Sequence, residues 1–319
     1  MERPDVLIIG PYPQWDMDDL ESTYALHKLY LAPDADGLLT RIGASVRGIA
    51  TRGELGASAK LMERLPKLEI VACYGVGTDA IDLGHARSRG IVVTNTPDVL
   101  TEDVADLGVG LLLAVCRNMV AADAHVRAGH WASSNLALST RLHGKRVGIV
   151  GMGAIGSAVA RRLAAFGCTI AYSARQSRVG SPYKFIGDVT ALARWSQMLV
   201  VTVAGGPATR GLITAEVFDA LGPDGIFVNI SRGTTVDEAA LLDALEDGRI
   251  KAAGLDVFLN EPRIDPRFLA LDNVVLQPHH ASGTIETRKA MGQLVRDNLA
   301  AHFAGRPVLT PVPQPKALP

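Results

Sequence analysis

Short apolar runs rich in β-branched residues alternate with longer stretches of helical periodicity almost from end to end of the chain. Residues 6–9, 46–50, 68–74 and 91–94 predict strands, and residues 18–31, 57–65 and 79–89 predict helices between them. Strand, helix, strand in repetition implies a parallel sheet with helices on both faces. The four strands before residue 98 would make a small α/β domain. A long helix is then predicted from about 101 to about 126, with Thr101 as its cap and Glu102 and Asp103 in its first turn. A second alternating series follows, with strands at 145–150, 169–173, 199–203, 225–230, 252–257 and 274–277. The last predicted helix runs from 284 to about 303, and a Pro-rich tail, 307–319, ends the sequence.

With 319 residues, 48% of them hydrophobic and 20% charged, the chain has the composition of a globular protein and length for two domains. A formal net charge of −1 gives no bulk attraction to nucleic acid or an anionic membrane, so neither partner is expected. A charged substrate must be held by local groups. The N-terminal apolar stretch is too short for a signal-peptide core, and the most apolar helix candidate, 107–116, is about half a membrane span. Cys73, Cys116 and Cys168 are widely spaced and odd in number, which predicts reduced core thiols, no metal site and a cytoplasmic protein.

The strand predicted at 145–150 runs straight into a G-x-G-x-x-G turn made by Gly151, Gly153 and Gly156, with Ala154 and Ile155 inside it, and an amphipathic helix follows. In that setting the glycines allow a tight turn and close approach of a pyrophosphate, whose charge sits on the helix N-terminus. The end of the next strand discriminates between the nicotinamide cofactors. No Asp or Glu occurs between Ser157 and Gly187 to accept from a ribose 2′-hydroxyl. Ser173, Arg175 and Arg178 instead offer a hydroxyl and two guanidinium groups to a 2′-phosphate. NADPH is therefore the expected cofactor, with NAD the alternative.

The mid-chain position of this fingerprint predicts two Rossmann-like, doubly wound α/β domains. A dinucleotide-binding domain, 99–284, would be inserted into a smaller flavodoxin-like domain, 1–98 with 285–319, and the active site would lie in the cleft. Three segments put polar residues just beyond apolar strands, where open α/β sheets hold ligands: 228–233, 254–262 and 276–284. They carry Arg232, Glu261 and the adjacent pair His279 and His280.

With these motifs in this order, the chain resembles the D-isomer-specific 2-hydroxyacid dehydrogenase family, and within it the glyoxylate, hydroxypyruvate and hydroxyphenylpyruvate reductases. The likeness extends from residue 68 to the final helix. It implies Arg232, Glu261 and His279 as catalytic residues, and it selects His279 because the family's acid follows the proline directly. It also implies substrate-carboxylate contacts at the backbone amides of Val76 and Gly77, with Arg232 and His279 on the same substrate. On the cofactor it implies contacts from Val203, Ile230, Ser231, Arg232 and His279, from Asp256 to the nicotinamide amide, and from Ser282 and Gly283 nearby. A homodimer is implied, with Trp131 near the interface and the partner's pocket. Thr78 and Asp79 are expected to cap a helix.

The chemistry agrees with that assignment. Adding hydride to a ketone builds negative charge on the carbonyl oxygen, which calls for an adjacent proton donor. His279 as an imidazolium would donate, Glu261 would orient it from the other ring nitrogen, and Arg232 would grip carboxylate and carbonyl oxygens. The expected reaction is reduction of small 2-oxo acids, glyoxylate and hydroxypyruvate before aryl pyruvates, to D-2-hydroxy acids. Two alternatives remain. The related formate dehydrogenases fit less well, because they carry Gln where Glu261 stands. A cofactor-sensing protein like the C-terminal-binding corepressors shares the triad.

Overall fold

The computed structural model describes residues 3–313; Met1, Glu2 and the end of the Pro-rich tail, 314–319, lie outside the described residues. The chain forms two compact units, one from the residues up to Leu100 with those from Gly283 onward, the other Thr101–Ser282. The first junction lies two residues later than the sequence suggested, and the second two residues earlier.

The first unit contains β1 (Asp5–Ile8), α1 (Gln14–Thr23), β2 (Ala25–Lys28), α2 (Ala35–Ile42), β3 (Val46–Arg52), α3 (Ala59–Glu63), β4 (Ile70–Tyr74), α4 (Leu83–Ser88) and β5 (Val92–Thr94). Its strands pair in the order β2-β1-β3-β4-β5, all parallel, which is the flavodoxin-like order. Leu7, Ile49 and Val71 are fully buried at its centre.

The structure departs from the sequence pattern at three places here. The helix expected over 18–31 ends at Thr23. Tyr24 turns extended, with φ −119° and ψ 157°, and residues 25–28 join the sheet as edge strand β2 beside β1. Pairing with β1 overrides a helical periodicity that carried on past the true end. Helix α2 was not anticipated, although Asp34 caps it by accepting from Gly37 N at 2.9 Å. Thr78 and Asp79 do not cap α4; Asp82 does, accepting from His85 N at 2.9 Å.

The second unit contains α5 (Thr101–Cys116), α6 (Met119–Arg127), β6 (Arg146–Val150), α7 (Ala154–Ala165), β7 (Thr169–Ser173), β8 (Lys184–Phe185), α8 (Val189–Trp195), β9 (Met198–Val201), α9 (Ala215–Leu221), β10 (Ile226–Asn229), α10 (Glu238–Glu246), β11 (Ala252–Leu255) and β12 (Val274–Leu276). The chain then returns to the first unit through α11 (Ile285–Phe303), capped by Thr284, which accepts from Thr287 N at 3.2 Å. The seven strands are parallel in the order β12-β11-β10-β9-β6-β7-β8, so the winding reverses between β6 and β9. Such a reversal opens a crevice beyond the strand ends for a ligand.

The single long helix expected from 101 to 126 is broken. Asn118 adopts a left-handed conformation, φ 50°, and the axes of α5 and α6 differ by 59°. The two halves face different surroundings: α5 buries eight residues within its unit, while α6 buries none. Asn accepts that backbone conformation more readily than most residues. Thr101 is the first helical residue of α5 rather than its cap. No single helix among the described residues is long and apolar enough to cross a membrane.

Candidate active site

The turn after β6 uses its three glycines for three different reasons. Gly151 has φ 102°, and a Cβ on it would stand 2.8 Å from Val203 N. A Cβ on Gly156 would lie 2.0 Å from the carbonyl oxygen of Gly151, so this glycine lets α7 pack against the turn. A Cβ on Gly153 would meet nothing within 4 Å. That open space lies at the N-terminus of α7, where the backbone N–H groups and the helix dipole favour a phosphate. The residues present therefore fit a dinucleotide pyrophosphate. Thr202 Oγ1 donates to Gly151 O at 2.6 Å and holds the turn against the end of β9.

The basic segment after β7 is less uniform than its sequence suggests. Arg178 folds back over the glycine turn, donating to Met152 O at 2.9 Å and Ser157 Oγ at 2.6 Å. Arg175 is exposed. Ser173 is buried and gives its hydroxyl proton to Gly187 O at 2.8 Å, so in this arrangement it offers a ligand only an acceptor.

Arg232, Glu261 and His279 follow β10, β11 and β12, three neighbouring strands, and so share one end of the sheet. The ring of His279 donates from Nδ1 to Glu261 Oε2 at 2.6 Å. This leaves Nε2 as the nitrogen able to pass a proton onward. The other oxygen of Glu261 accepts from Phe258 N at 2.8 Å. Burial pushes the Glu261 carboxyl up, but the hydrogen bond and charge of His279, the Phe258 N–H and the charge of Arg232 together hold it below its usual range. Arg232 and His279 thus act on one carboxylate.

Arg232 is set by its own turn. Its carbonyl accepts from Asn229 Nδ2 at 3.1 Å and Thr235 Oγ1 at 2.7 Å, and its Nη1 donates to Ser231 O at 2.9 Å. Ser231 Oγ in turn donates to Val203 O, which ties the strand end of Ile230 and Ser231 to the loop after β9. Asp256 is 1% exposed and accepts from His280 N at 2.7 Å and Ala281 N at 3.1 Å. It braces the turn that carries His279, and each of its oxygens keeps a lone pair for a ligand. Burial raises its pKa, against the pull of these N–H groups and of His279.

Residues 109–281 match the family described as D-isomer specific 2-hydroxyacid dehydrogenase, NAD binding domain. The chain belongs to this family. It is 47% identical to 2-ketogluconate reductase of Gluconobacter oxydans, over 97% of this chain and 99% of that one. It is 46% identical to hydroxyphenylpyruvate reductase of Plectranthus scutellarioides, over 98% of this chain and all of that one. A solved structure of an NADPH-dependent glyoxylate/hydroxypyruvate reductase from Sinorhizobium meliloti, in complex with NADP and malonate, is similar with a TM-score of 0.90. That pair is 42% identical, over 98% of this chain and 97% of that one. Members are NAD(P)-dependent oxidoreductases, and Arg232, Glu261 and His279 stand in this dehydrogenase as described above.

The remaining expected residues are placed as follows. Val76 and Gly77 lie in the first unit, in the turn after β4, where Asn95 Nδ2 donates to Val76 O at 2.9 Å and Gly75 N donates to Thr96 Oγ1 at 3.1 Å. Ser282 and Gly283 are half-buried at the junction between the units. Sequence reasoning missed Asn229, Thr202 and Glu238, whose carboxylate accepts from Leu259 N at 2.8 Å in the loop that carries Glu261. Asn229 had a local signal, a polar side chain closing an apolar strand. The partners of the other two lie 51 and 21 residues away and left no signal in the spacing.

Proposed function

We propose that this chain is a cytoplasmic, NADPH-dependent reductase of 2-oxo acids, producing D-2-hydroxy acids. The observation that carries the reading is the His279–Glu261 pair at 2.6 Å, with Arg232 acting on the same carboxylate beside a dinucleotide turn. When bound, the reduced nicotinamide supplies the hydride that adds to C2 of the substrate. Arg232 grips the substrate's carboxylate and carbonyl oxygens with its planar fork. His279 donates from Nε2 to the carbonyl oxygen as charge builds there, and the O–H bond so formed completes the alcohol. Glu261 keeps Nδ1 protonated and stabilises the imidazolium before transfer. Amide donors at Val76 and Gly77 for the carboxylate, and Asp256 toward the carboxamide of the cofactor, belong to the same reading.

NADPH is favoured over NADH by Arg175 and Arg178 and by the absence of an acid at the end of β7. The similar NADPH-dependent reductase of Sinorhizobium, bound to NADP, supports this. For the substrate we favour glyoxylate and hydroxypyruvate. The similarity to the glyoxylate/hydroxypyruvate reductase of Sinorhizobium meliloti supports that choice. Steady-state oxidation of NADPH with glyoxylate, hydroxypyruvate and phenylpyruvate supplied separately tests the proposal. Higher kcat/KM with the first two, and with NADPH over NADH, is expected. Tight cofactor binding without turnover of any 2-oxo acid would overturn it in favour of a cofactor sensor.

A second copy of the chain is part of the proposal. Helix α6 and the segment after it expose Met119, Val120, Val126, Trp131, Leu136 and Leu138. Such a stretch of large apolar side chains left to solvent fits a surface that another chain covers.

A further inference from the structure

The loop from Phe258 to Glu261 delivers the carboxylate that meets His279, and two different acids hold its first two N–H groups. Phe258 N donates to Glu261 Oε1 at 2.8 Å, and Leu259 N donates to Glu238 Oε2, also at 2.8 Å. The next contact comes from the segment of Arg232: a Cβ on Gly233 would stand 1.9 Å from the carbonyl carbon of Phe258. The loop backbone is thus pressed against the Arg232 turn on one side and bonded to Glu238 on the other.

Glu238 is not needed to start its own helix. Asp237 caps α10 by accepting from Ala240 N at 3.1 Å. Nor is its carboxylate well placed for stability. It is only 9% exposed and faces two like charges, Asp265 and Glu261. Burial above all, then Asp265 and Glu261, push its pKa up, and the Leu259 N–H opposes them only in part. A buried acid facing other acids costs free energy that a neutral or apolar side chain would not.

We propose that Glu238 is a positioning residue of the reductase reaction. By gripping Leu259 N–H it sets the 258–261 loop at the height where one oxygen of Glu261 is held by its own loop and the other reaches His279. The inference rests on the reading of His279 as proton donor. It assigns Glu238 no contact with substrate or cofactor.

Two substitutions separate reach from charge. Glu238→Gln keeps an acceptor at the same distance and removes the charge. Glu238→Asp keeps the charge and withdraws the acceptor by one carbon–carbon bond, about 1.5 Å. The measurements are kcat, kcat/KM across pH for reduction, and Tm, with His279→Gln as reference. Glu238→Gln is expected to retain kcat within a few fold. Glu238→Asp is expected to lose about tenfold or more, up to the roughly 10²-fold that an ångström of misplacement costs. The groups facing His279 are Glu261 and Asp256, and Arg232 acts on Glu261. Loosening the Glu261 contact removes support for the protonated donor, so the alkaline limb of kcat/KM should move to lower pH in Glu238→Asp only.

Equal losses in both variants would overturn the proposal, because the charge and not the reach would then matter. So would a Glu238→Asp variant with lowered Tm but unchanged kcat and pH profile, since that marks a purely structural acid. Full turnover in His279→Gln would instead remove the proton-donor reading itself, and the positioning role with it.

Discussion

A φ of 51° at His279 lets one residue face two ways. Its N–H bonds to Asp256 O at 2.8 Å while its ring meets Glu261. Histidine is among the few residues that visit this left-handed region readily. The chemistry of the pair makes two predictions. His279→Gln keeps a side chain of similar polarity but removes the proton donor, and kcat/KM for reduction should fall by about 10²–10⁴-fold. Glu261 is held below its ordinary 4.5, so it stays ionised through the physiological range. A depressed carboxylate contributes stability that is present above its unfolded pKa and lost as the pH falls through the lower folded value. The Tm difference between wild type and Glu261→Gln should therefore be full above pH 4.5 and shrink below it. A constant difference down to strongly acid pH would contradict the assignment. Arg232, Glu261 and His279 were legible beforehand because their segments follow apolar strands and match, in order, the motifs of the family the chain resembles. Glu238 was not, because a Glu in the first turn of a helix ordinarily reads as a solvated partner of the dipole.

At the scale of elements, the glycine turn and α7 separate binding from packing. Gly156 lies where a Cβ would strike the Gly151 carbonyl, whereas Gly153 faces open space. Gly156→Ala should destabilise the second unit by about 1–3 kcal/mol, as overpacking does, and lower Tm with or without cofactor. Gly153→Ala should leave Tm nearly unchanged and weaken NADPH binding, read as Kd by fluorescence titration. If both variants changed Tm alone, the turn would be structural only. Elements with strong internal periodicity, such as β6, β7 and α11, were readable to within a residue or so. Edge strands were harder. The sequence of β2 continues the helical periodicity before it, and the two-residue β8 offers no alternation to detect. Their extended form depends on hydrogen bonds to β1 and β7, which a local window does not contain.

For the whole molecule, the uncovered apolar side chains of α6 and the residues after it set the expectation. Light scattering of the purified chain should report a dimer, and a Val120→Asp, Leu138→Asp double variant should shift it to monomer while each protomer stays folded. A wild-type monomer at micromolar concentration would refute the proposed interface. Trp131, 69% exposed, is the residue in this stretch expected to influence the partner's substrate preference, and Trp131→Ala tests that separately. The sequence alone determined the α/β class, the inserted dinucleotide unit and the glycine turn, and it offered Arg232, Glu261 and His279 as candidates for the reaction. The first three follow from spacings within a few residues, and the choice of the three candidates from the order of motifs in the family the chain resembles. Tertiary structure decided where the long helix breaks, which strands lie at the sheet edges, and which acceptor each buried polar atom takes. Ser173 finds Gly187, Glu238 finds Leu259 and Thr202 finds Gly151 because packing brings distant backbone groups within 3 Å, and desolvation then obliges each to be bonded.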